Sequence, residues 1–161
     1  MSHPSFSDDV VQLIKCLYTW DVRYLIVGGE AVIYYGYPRL TGDVDFFIEA
    51  TTSNSEKLIT ALGEFWDGSI PGNITVADFM SPGSVIQFGI VPNRIDLLNS
   101  ISGVDFKNAW ENKKLEYLTV QDKKNPIYFI GLSDLIQNKE STARNKDLDD
   151  LRYLKKIANK G

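Results

Sequence analysis

The sequence predicts a folded protein of the mixed α/β class, in which helices alternate with short apolar strands. In some segments apolar residues recur at helical spacing, whereas others are short apolar runs rich in strand formers and bounded by glycine or proline. The composition agrees, because 43% of the 161 residues are hydrophobic and 12% are aromatic, as in globular proteins. We expect a single domain over residues 1–161, with a helical C-terminal segment from about residue 132.

Helices are predicted at four places along the chain. Ser7 is expected to cap the first, and the second covers residues 30–35. The third follows a capping box that Ser53 and Glu56 would form. The segment from Leu132 to the C-terminus is expected to be helical without a break. Its apolar face would hold Leu148, Leu151, Leu154 and Ile157.

Strands are predicted wherever a short apolar run is bounded by turn residues. These runs are residues 24–27, 44–48, 85–91, 94–98, 115–120 and 127–130. Pro92 and Asn93 would form the turn between the third and fourth. Residues 67–84 contain three glycines and two prolines, so we expect a long loop there.

The charged residues are distributed unevenly, although the net charge is only −4. Residues 1–80 hold 4 basic and 11 acidic side chains, whereas residues 81–161 hold 13 basic and 10 acidic ones. One interpretation is that these are ordinary solvated helix faces. The other is that acids in the first half hold cations while bases in the second half meet an anionic ligand. An acidic chain is poorly suited to tight nonspecific binding of nucleic acid.

Several classes of protein and site are excluded. The single Cys16 permits no internal disulfide, and a buried structural thiol is its expected role in a reducing cytoplasm. With His3 as the only histidine, a zinc site of His and Cys ligands is excluded. The N-terminus is too acidic and polar for a secretory signal, and no apolar run approaches the roughly 20 residues that span a bilayer. We therefore expect a cytoplasmic protein without a membrane partner.

Three aspartates lie in apolar runs that read as strands, where an unpaired carboxylate is costly to bury. Asp43 and Asp45 are two residues apart, so on a strand both carboxylates point from the same face. Such close charges are tolerable if a cation lies between them or if they share a proton. Mg²⁺ suits this arrangement, and Asp96 would add a third oxygen ligand if its strand lies alongside. The alternative is that an acid caps the turn after Gly42 and that Asp96 pairs with Arg94.

A glycine pair precedes these acids and points to phosphate binding. Gly28 and Gly29 separate a predicted strand from a predicted helix, where backbone N–H groups can approach a phosphate closely. Arg39 and Thr41 could reach the same phosphates. Alternatively, the glycines only end a strand, and Arg39 and Thr41 belong to an exposed loop.

Together these motifs carry a family resemblance. A glycine pair, thirteen further residues, then DVD and a later IDL strand resemble the nucleotidyltransferase superfamily of the DNA polymerase β type. The fuller string GGEAV-x3-G-x2-R-x-T-x-D-x-D is similar to its small bacterial members, the AbiEii-type toxins and other minimal nucleotidyltransferases. The downstream segment from Leu132 to Leu154 resembles the family's K-x4-R-x-KD-x2-D block.

The resemblance implies a nucleotidyltransferase fold, with a mixed twisted sheet flanked by helices. It implies transfer of a nucleoside monophosphate from an NTP such as ATP or GTP to a hydroxyl acceptor on RNA, a protein or a small molecule. Two Mg²⁺ ions, or Mn²⁺, would act at Asp43, Asp45 and Asp96. A toxin role would bring an antitoxin protein as a partner.

The resemblance also implies roles for residues further along the chain. Lys139 would join Gly28, Gly29, Arg39 and Thr41 in binding the nucleotide. The less certain members of the site are Glu30, Arg144, Lys146, Asp147 and Asp150. The last four would either line the site or tie the last helices to it. Helix surface is the alternative for part of the downstream block, since Glu140 and Arg144 have the spacing of an i,i+4 pair.

Glu30 departs from the wider superfamily, which often has serine after the glycines. A carboxylate beside a phosphate is unfavourable unless it faces elsewhere or meets a cation. A catalytically idle nucleotide-binding or partner-binding module on the same fold is therefore the alternative function.

Overall fold

The computed structural model describes residues 6–160, and the expectation for His3 lies outside the described residues. Its α-helices are α1 (Asp8–Thr19), α2 (Gly28–Tyr34), α3 (Thr52–Phe65), α4 (Val76–Met80), α5 (Phe106–Glu111), α6 (Leu132–Thr142) and α7 (Asn145–Lys160). Its strands are β1 (Tyr24–Val27), β2 (Asp43–Ile48), β3 (Val85–Phe88), β4 (Arg94–Leu98), β5 (Lys114–Val120) and β6 (Lys123–Phe129). A short 3-10 helix covers Pro71–Asn73.

The six strands form one mixed sheet in the order β3-β4-β2-β1-β6-β5. Strand β2 lies antiparallel to β1 and parallel to β4, and β1 lies parallel to β6. Two antiparallel pairs, β3 with β4 and β5 with β6, form the flanks of the sheet. This arrangement of strands and flanking helices confirms the predicted α/β class with a mixed sheet.

The core lies around the central strands. All four residues of β1 are buried, as are Phe46, Phe47 and Ile48 of β2. Helix α1 packs against α3 and β6, and Cys16 is a buried free thiol within it, as the sequence indicated. Burial raises the pKa of that thiol. Among the described helices, none combines the length and the apolar character needed to cross a membrane.

Helix capping is predicted correctly at one helix and wrongly at another. The Ser7 side chain accepts a hydrogen bond from Val10 N, as expected for the cap of α1. The Ser53–Glu56 capping box is wrong, because Thr51 caps α3 and accepts from Asn54 N at 3.1 Å. Helix α3 therefore begins two residues earlier than predicted. The capping chemistry is the same, because serine and threonine cap helices by the same hydrogen bond.

The stretch 67–84 is more ordered than predicted. It contains the 3-10 helix and α4, which begins with a capping box formed by Thr75 and Asp78. Phe79 of α4 is fully buried, so this segment covers the core. The third predicted strand ends at Phe88, earlier than expected, because Gly89 adopts a φ of +76° and turns the chain away.

The C-terminal helical segment is broken, contrary to expectation. Ala143 ends α6 in the left-handed conformation, with a φ of +49°. Asp147 stabilises the break because its carboxylate accepts hydrogen bonds from the Thr142 hydroxyl at 2.8 Å and from Arg144 N at 3.1 Å. The break also corrects the apolar face of α7: Leu151 and Leu154 are buried, whereas Leu148 is 49% exposed.

Candidate functional site

The three aspartates converge at one end of the central strands. Asp45 of β2 lies opposite Asp96 in the parallel pairing of β2 with β4. Asp43, two residues before Asp45, points from the same face of β2. Each of the three carboxylates places an oxygen within 4.8 Å of the other two. This cluster offers the hard oxygen ligands that Mg²⁺ and Mn²⁺ prefer.

The protonation of these acids reflects their crowding. Burial, together with the charges of Asp43 and Asp96, raises the pKa of Asp45 to about 7. Burial also raises the pKa of Asp96, although the nearby Arg94 opposes that shift. Oδ1 of Asp45 is buried without a hydrogen-bond partner. A buried, unbonded carboxylate oxygen aimed at two other acids fits a divalent cation, because a cation would satisfy it.

Arg94 lies next to the acids. The sequence interpretation considered it only as a structural partner of Asp96. Its Nη2 lies 2.6 Å from Asp43 Oδ2 in a hydrogen-bonded ion pair. Its Nε lies 3.2 Å from Asp96 Oδ1, without the alignment of a hydrogen bond. The predicted alternative, pairing of Asp96 with Arg94, is therefore present together with the clustering of the acids. The pairing of β2 with β4 sets Arg94 opposite Asp43, and the sequence alone does not indicate this register.

The glycine pair lies directly against the acids. Gly28 adopts a φ of +66°, and a Cβ at this position would overlap the Asp45 carboxylate. A Cβ on Gly29 would lie 2.7 Å from Thr41 Oγ1 and 3.1 Å from Arg39 Nη2. The Thr41 hydroxyl in turn donates to Asp43 Oδ1 at 3.3 Å. Glycine is therefore required at both positions by close approach, in addition to any contact with a ligand.

A buried charge network joins α6 to α7 beside the acids. Lys139 Nζ lies 3.1 Å from Asp147 Oδ1 and 3.1 Å from Asp150 Oδ2. Arg144 Nε lies 2.7 Å from Asp147 Oδ2. Burial alone would raise the pKa of Asp147, but hydrogen bonds from Arg144, Thr142 and Lys139 outweigh it and hold that pKa well below its usual range.

The network reaches the loop before β2 through Arg39. Arg39 Nε lies 3.2 Å from Asp150 Oδ1, and the Asp150 side chain is only 2% exposed. Asp150 therefore contacts two cations, Arg39 from the loop and Lys139 from α6. Asp147 and Asp150 bind protein cations and so hold the bases in place.

The positive charge of Arg39 acts on the carboxyl group of Glu30. Burial and the charge of Asp43 raise the pKa of its carboxyl, whereas the Arg39 guanidinium lowers it. Glu30 is half-buried on α2, and it is not one of the residues that line the cleft beside the acids.

A charged cleft of about 600 Å³ lies over these groups. The three acids line it, together with the glycine pair, Thr41 and a set of basic side chains. These bases are Arg39, Arg94, Lys139, Arg144 and Lys146. The cleft thus brings together nearly every residue that the motifs indicated, with the exceptions of Glu30, Asp147 and Asp150.

A second, neutral cavity of about 380 Å³ adjoins the charged cleft. The two share a wall that includes Gly28, Asp45, Lys139 and Arg144. The remaining lining of the neutral cavity carries no charge and consists of Val27, Ser100, Ile101, Ser102, Asn138 and Thr142, with Leu98 shared. None of these side chains was singled out from the sequence, because isolated serines and an asparagine carry no recognisable motif.

Comparison with known proteins adds the family. No curated protein matches the chain. A family model described as "Nucleotidyltransferase of unknown function (DUF6036)" matches residues 8–158, which cover nearly all of the sequence and both blocks of motifs. This finding supports the nucleotidyltransferase superfamily at the level of the family. The chain belongs to this family of nucleotidyltransferases.

Proposed function

We propose that the protein transfers a nucleoside monophosphate from an NTP to a hydroxyl acceptor, with a divalent metal at Asp43, Asp45 and Asp96. One observation carries the proposal: three carboxylates lie within 4.8 Å of one another in a cleft that five basic side chains also line. A cluster of acids alone attracts cations, and a cluster of bases alone attracts anions. Side by side they suit a metal–triphosphate complex, which needs both.

The bases of the cleft would bind the triphosphate. Lys139 and Arg39 are held in place by Asp150, so little side-chain entropy remains to be lost when they meet a phosphate. Arg144 and Lys146 line the same cleft from the start of α7. The backbone N–H groups of Gly28 and Gly29 are the expected contacts for the phosphates nearest the acids.

The acids would hold the metal and receive the acceptor. Bound there, a divalent cation neutralises charge on the phosphates and lowers the pKa of the attacking hydroxyl. The acceptor oxygen forms a bond to the α-phosphorus as the bond from that phosphorus to the pyrophosphate breaks. Asp96, which lines the cleft, is placed to take the hydroxyl proton. Positioning and charge stabilisation are the main contributions of the chain, as in other phosphoryl transfers.

The test is a labelling experiment with two variants and a matched control. The protein is incubated with each α-labelled NTP, Mg²⁺ or Mn²⁺, and a cell extract, and the labelled macromolecule is identified. Asp43→Asn and Asp45→Asn should each abolish labelling while the fold survives. Asp149→Asn removes an exposed acid of α7 and should leave labelling unchanged. Labelling retained in either β2 variant would overturn the metal assignment.

A second candidate function rests on Arg94. Because its guanidinium already pairs with Asp43 and lies against Asp96, the chain could bind a nucleotide as an idle module without a metal. NTP titrations with and without Mg²⁺ distinguish the two functions. If the protein is a transferase, NTP binding should depend on the metal. Arg94→Gln should then strengthen Mg²⁺ binding, because it frees Asp43 and Asp96 from the guanidinium. Equal NTP affinity with and without Mg²⁺, and no labelling of any acceptor, favours the idle module.

We further propose a cytoplasmic toxin opposed by an antitoxin. The resemblance to AbiEii-type toxins supports this role, and the buried free thiol of Cys16 fits a reducing compartment. Induced expression in a bacterium should arrest growth, and Asp45→Asn should relieve the arrest at equal protein level. Growth that is unaffected by the active chain would count against the toxin role while leaving transfer itself intact.

A further inference from the structure

The neutral cavity beside the acids is a site to which no role has yet been given. It adjoins Gly28 and Asp45 but, unlike the charged cleft, is not lined by Asp43 or Asp96. Its volume of about 380 Å³ lies in the range of pockets that take a small organic group. Apart from the charged side chains of the wall shared with the charged cleft, its lining combines apolar carbons of Leu98 and Ile101 with the polar tips of Ser100, Ser102 and Asn138. Such a lining suits an uncharged, partly aromatic group with several hydrogen-bonding atoms.

We propose that this cavity binds the nucleoside part of the NTP and that Asn138 reads its base. The inference rests on the proposed transfer function and deepens it. An NTP has one highly charged end and one uncharged end, and the two adjoining cavities differ in the same way outside the wall that they share. Because they meet at Asp45 and Lys139, an NTP that spans them would place its α-phosphate at the shared wall, next to the acids.

The wall of the neutral cavity is held rigidly. The loop between β4 and α5 lies against α6, where the Gln137 amide donates to Gly103 O at 2.6 Å and the Asn138 amide donates to Ser102 O at 3.0 Å. Gly103 has a φ of +73°, and a Cβ there would overlap the Ser141 side chain. Loop and helix are therefore in close contact, and the cavity is formed before any ligand arrives.

Asn138 is the side chain best suited to recognise a base. Its Nδ2 is used by Ser102 O, and among the described residues no hydrogen bond reaches its Oδ1. The fixed amide therefore presents an acceptor, which could receive a hydrogen bond from an N–H group on the edge of a base. A site that hydrogen-bonds such a group discriminates against ligands that lack it.

An acceptor molecule is the competing occupant, and the geometry disfavours it. An attacking hydroxyl has to reach the metal held by all three acids, but Asp43 and Asp96 line only the charged cleft. The acceptor would therefore enter through the charged cleft. The neutral cavity, which touches Asp45 alone among the acids, remains for the group attached to the α-phosphate.

The experiment measures dissociation constants of the full chain for Mg²⁺·tripolyphosphate and for each of the four Mg²⁺·NTPs by calorimetry. Tripolyphosphate carries the charges of the NTP without the nucleoside, so the difference in affinity isolates the nucleoside's contribution. The wild-type chain should bind at least one NTP about tenfold more tightly than tripolyphosphate, equivalent to about 1.4 kcal/mol.

Three variants locate that contribution. Asn138→Leu removes the Oδ1 acceptor without adding a charge and should change the ratios among the four NTPs by about tenfold, while tripolyphosphate affinity is unchanged. Ser100→Phe fills the cavity from an exposed position and should reduce the affinity for every NTP to that of tripolyphosphate. Gln137→Leu is the matched control, because it removes the side-chain amide of the neighbouring residue, which bonds the same loop but does not line the cavity.

The outcomes distinguish a failure of this inference from a failure of the proposed transfer function. Unchanged NTP ratios in Asn138→Leu, or an equal change in Gln137→Leu, overturn the assignment of the base site. Unchanged NTP affinities in Ser100→Phe, with labelling of the acceptor lost, place the acceptor in this cavity and also overturn it. If the wild-type chain binds neither tripolyphosphate nor any NTP, the proposed function itself fails, and the inference fails with it.

Discussion

Lys139 of α6 and Asp147 of α7 form an ion pair of 3.1 Å between side chains that are 5% and 0% exposed. Asp150 contacts the same ammonium from the next turn of α7. Removing one partner of such a pair leaves a buried charge without compensation. The interaction therefore ties the two C-terminal helices together at the edge of the charged cleft.

We expect Lys139→Met to destabilise the fold by about 3 kcal/mol, the usual cost of breaking a buried ion pair. The free energy of unfolding in urea measures it. Lys155→Met is the matched control, since Lys155 pairs with Glu140 at 3.4 Å between half-exposed side chains. Its cost should be about 0.5 kcal/mol or less. Equal costs for the two variants would contradict the importance assigned to the buried pair.

The stability of the fold should decrease as the pH falls, in part because of Asp147. Its pKa is lowered in the folded protein, so its contribution is complete above the unfolded pKa of about 3.9 and is lost as the pH falls towards the folded value. Asp147→Asn should therefore flatten the dependence of unfolding free energy on pH below about pH 4. Asp149→Asn, an exposed neighbour, should leave the slope unchanged, and a slope equal to wild type in Asp147→Asn would refute the assignment.

Metal affinity should depend on pH in the neutral range. Without a metal the pKa of Asp45 is raised to about 7, so below pH 7 a cation has to displace a proton from that carboxyl. Mn²⁺ or Mg²⁺ affinity should rise by about tenfold per pH unit below pH 7 and level off above pH 8. Calorimetry in two buffers of different ionisation enthalpy detects the released proton. An affinity that is constant from pH 6 to pH 8 would show that the metal displaces no proton from Asp45 in this range and would contradict its raised pKa.

Gly28→Ala should disrupt the site as well as the backbone. The positive φ of Gly28 disfavours alanine by about 1 kcal/mol, and the added methyl group would displace the Asp45 carboxylate. We expect lower stability together with loss of metal binding. Gly68→Ala separates the two effects, because Gly68 has a φ of +92° with open space around it. That variant should lose stability alone, and intact metal binding in Gly28→Ala would show that Asp45 adjusts.

The sequence pattern predicted those features that depend only on residues close together in the chain. Two residues i and i+2 on a strand share a face, so Asp43 and Asp45 could be paired in advance. Arg94 could not be placed, because its position opposite Asp43 depends on the pairing of β2 with β4, two strands far apart in sequence. The neutral cavity was missed for the same reason, since a loop after β4 and a helix after β6 form it together.

The break between α6 and α7 illustrates a different difficulty. Neither glycine nor proline marks it, and Ala143 is a strong helix former that nevertheless adopts a left-handed conformation. What ends the helix is the side chain of Asp147, which satisfies backbone and hydroxyl donors before α7. For Asp147 and Asp150 the resemblance left two roles open, lining the site or tying the last helices to it; neither lines the cleft, and both bind its bases.

The single left-handed residue between α6 and α7 also restricts how this chain can vary in length. Asp147 accepts hydrogen bonds from Thr142 and Arg144 across the break, so inserting or deleting one residue at 143 or 144 would disrupt these bonds and shift Asp147 and Asp150 relative to Lys139. Substitutions at Ala143 leave that alignment in place. Homologous chains that keep the lysine and both aspartates should therefore vary in the identity of the residues between the helices but keep their number fixed.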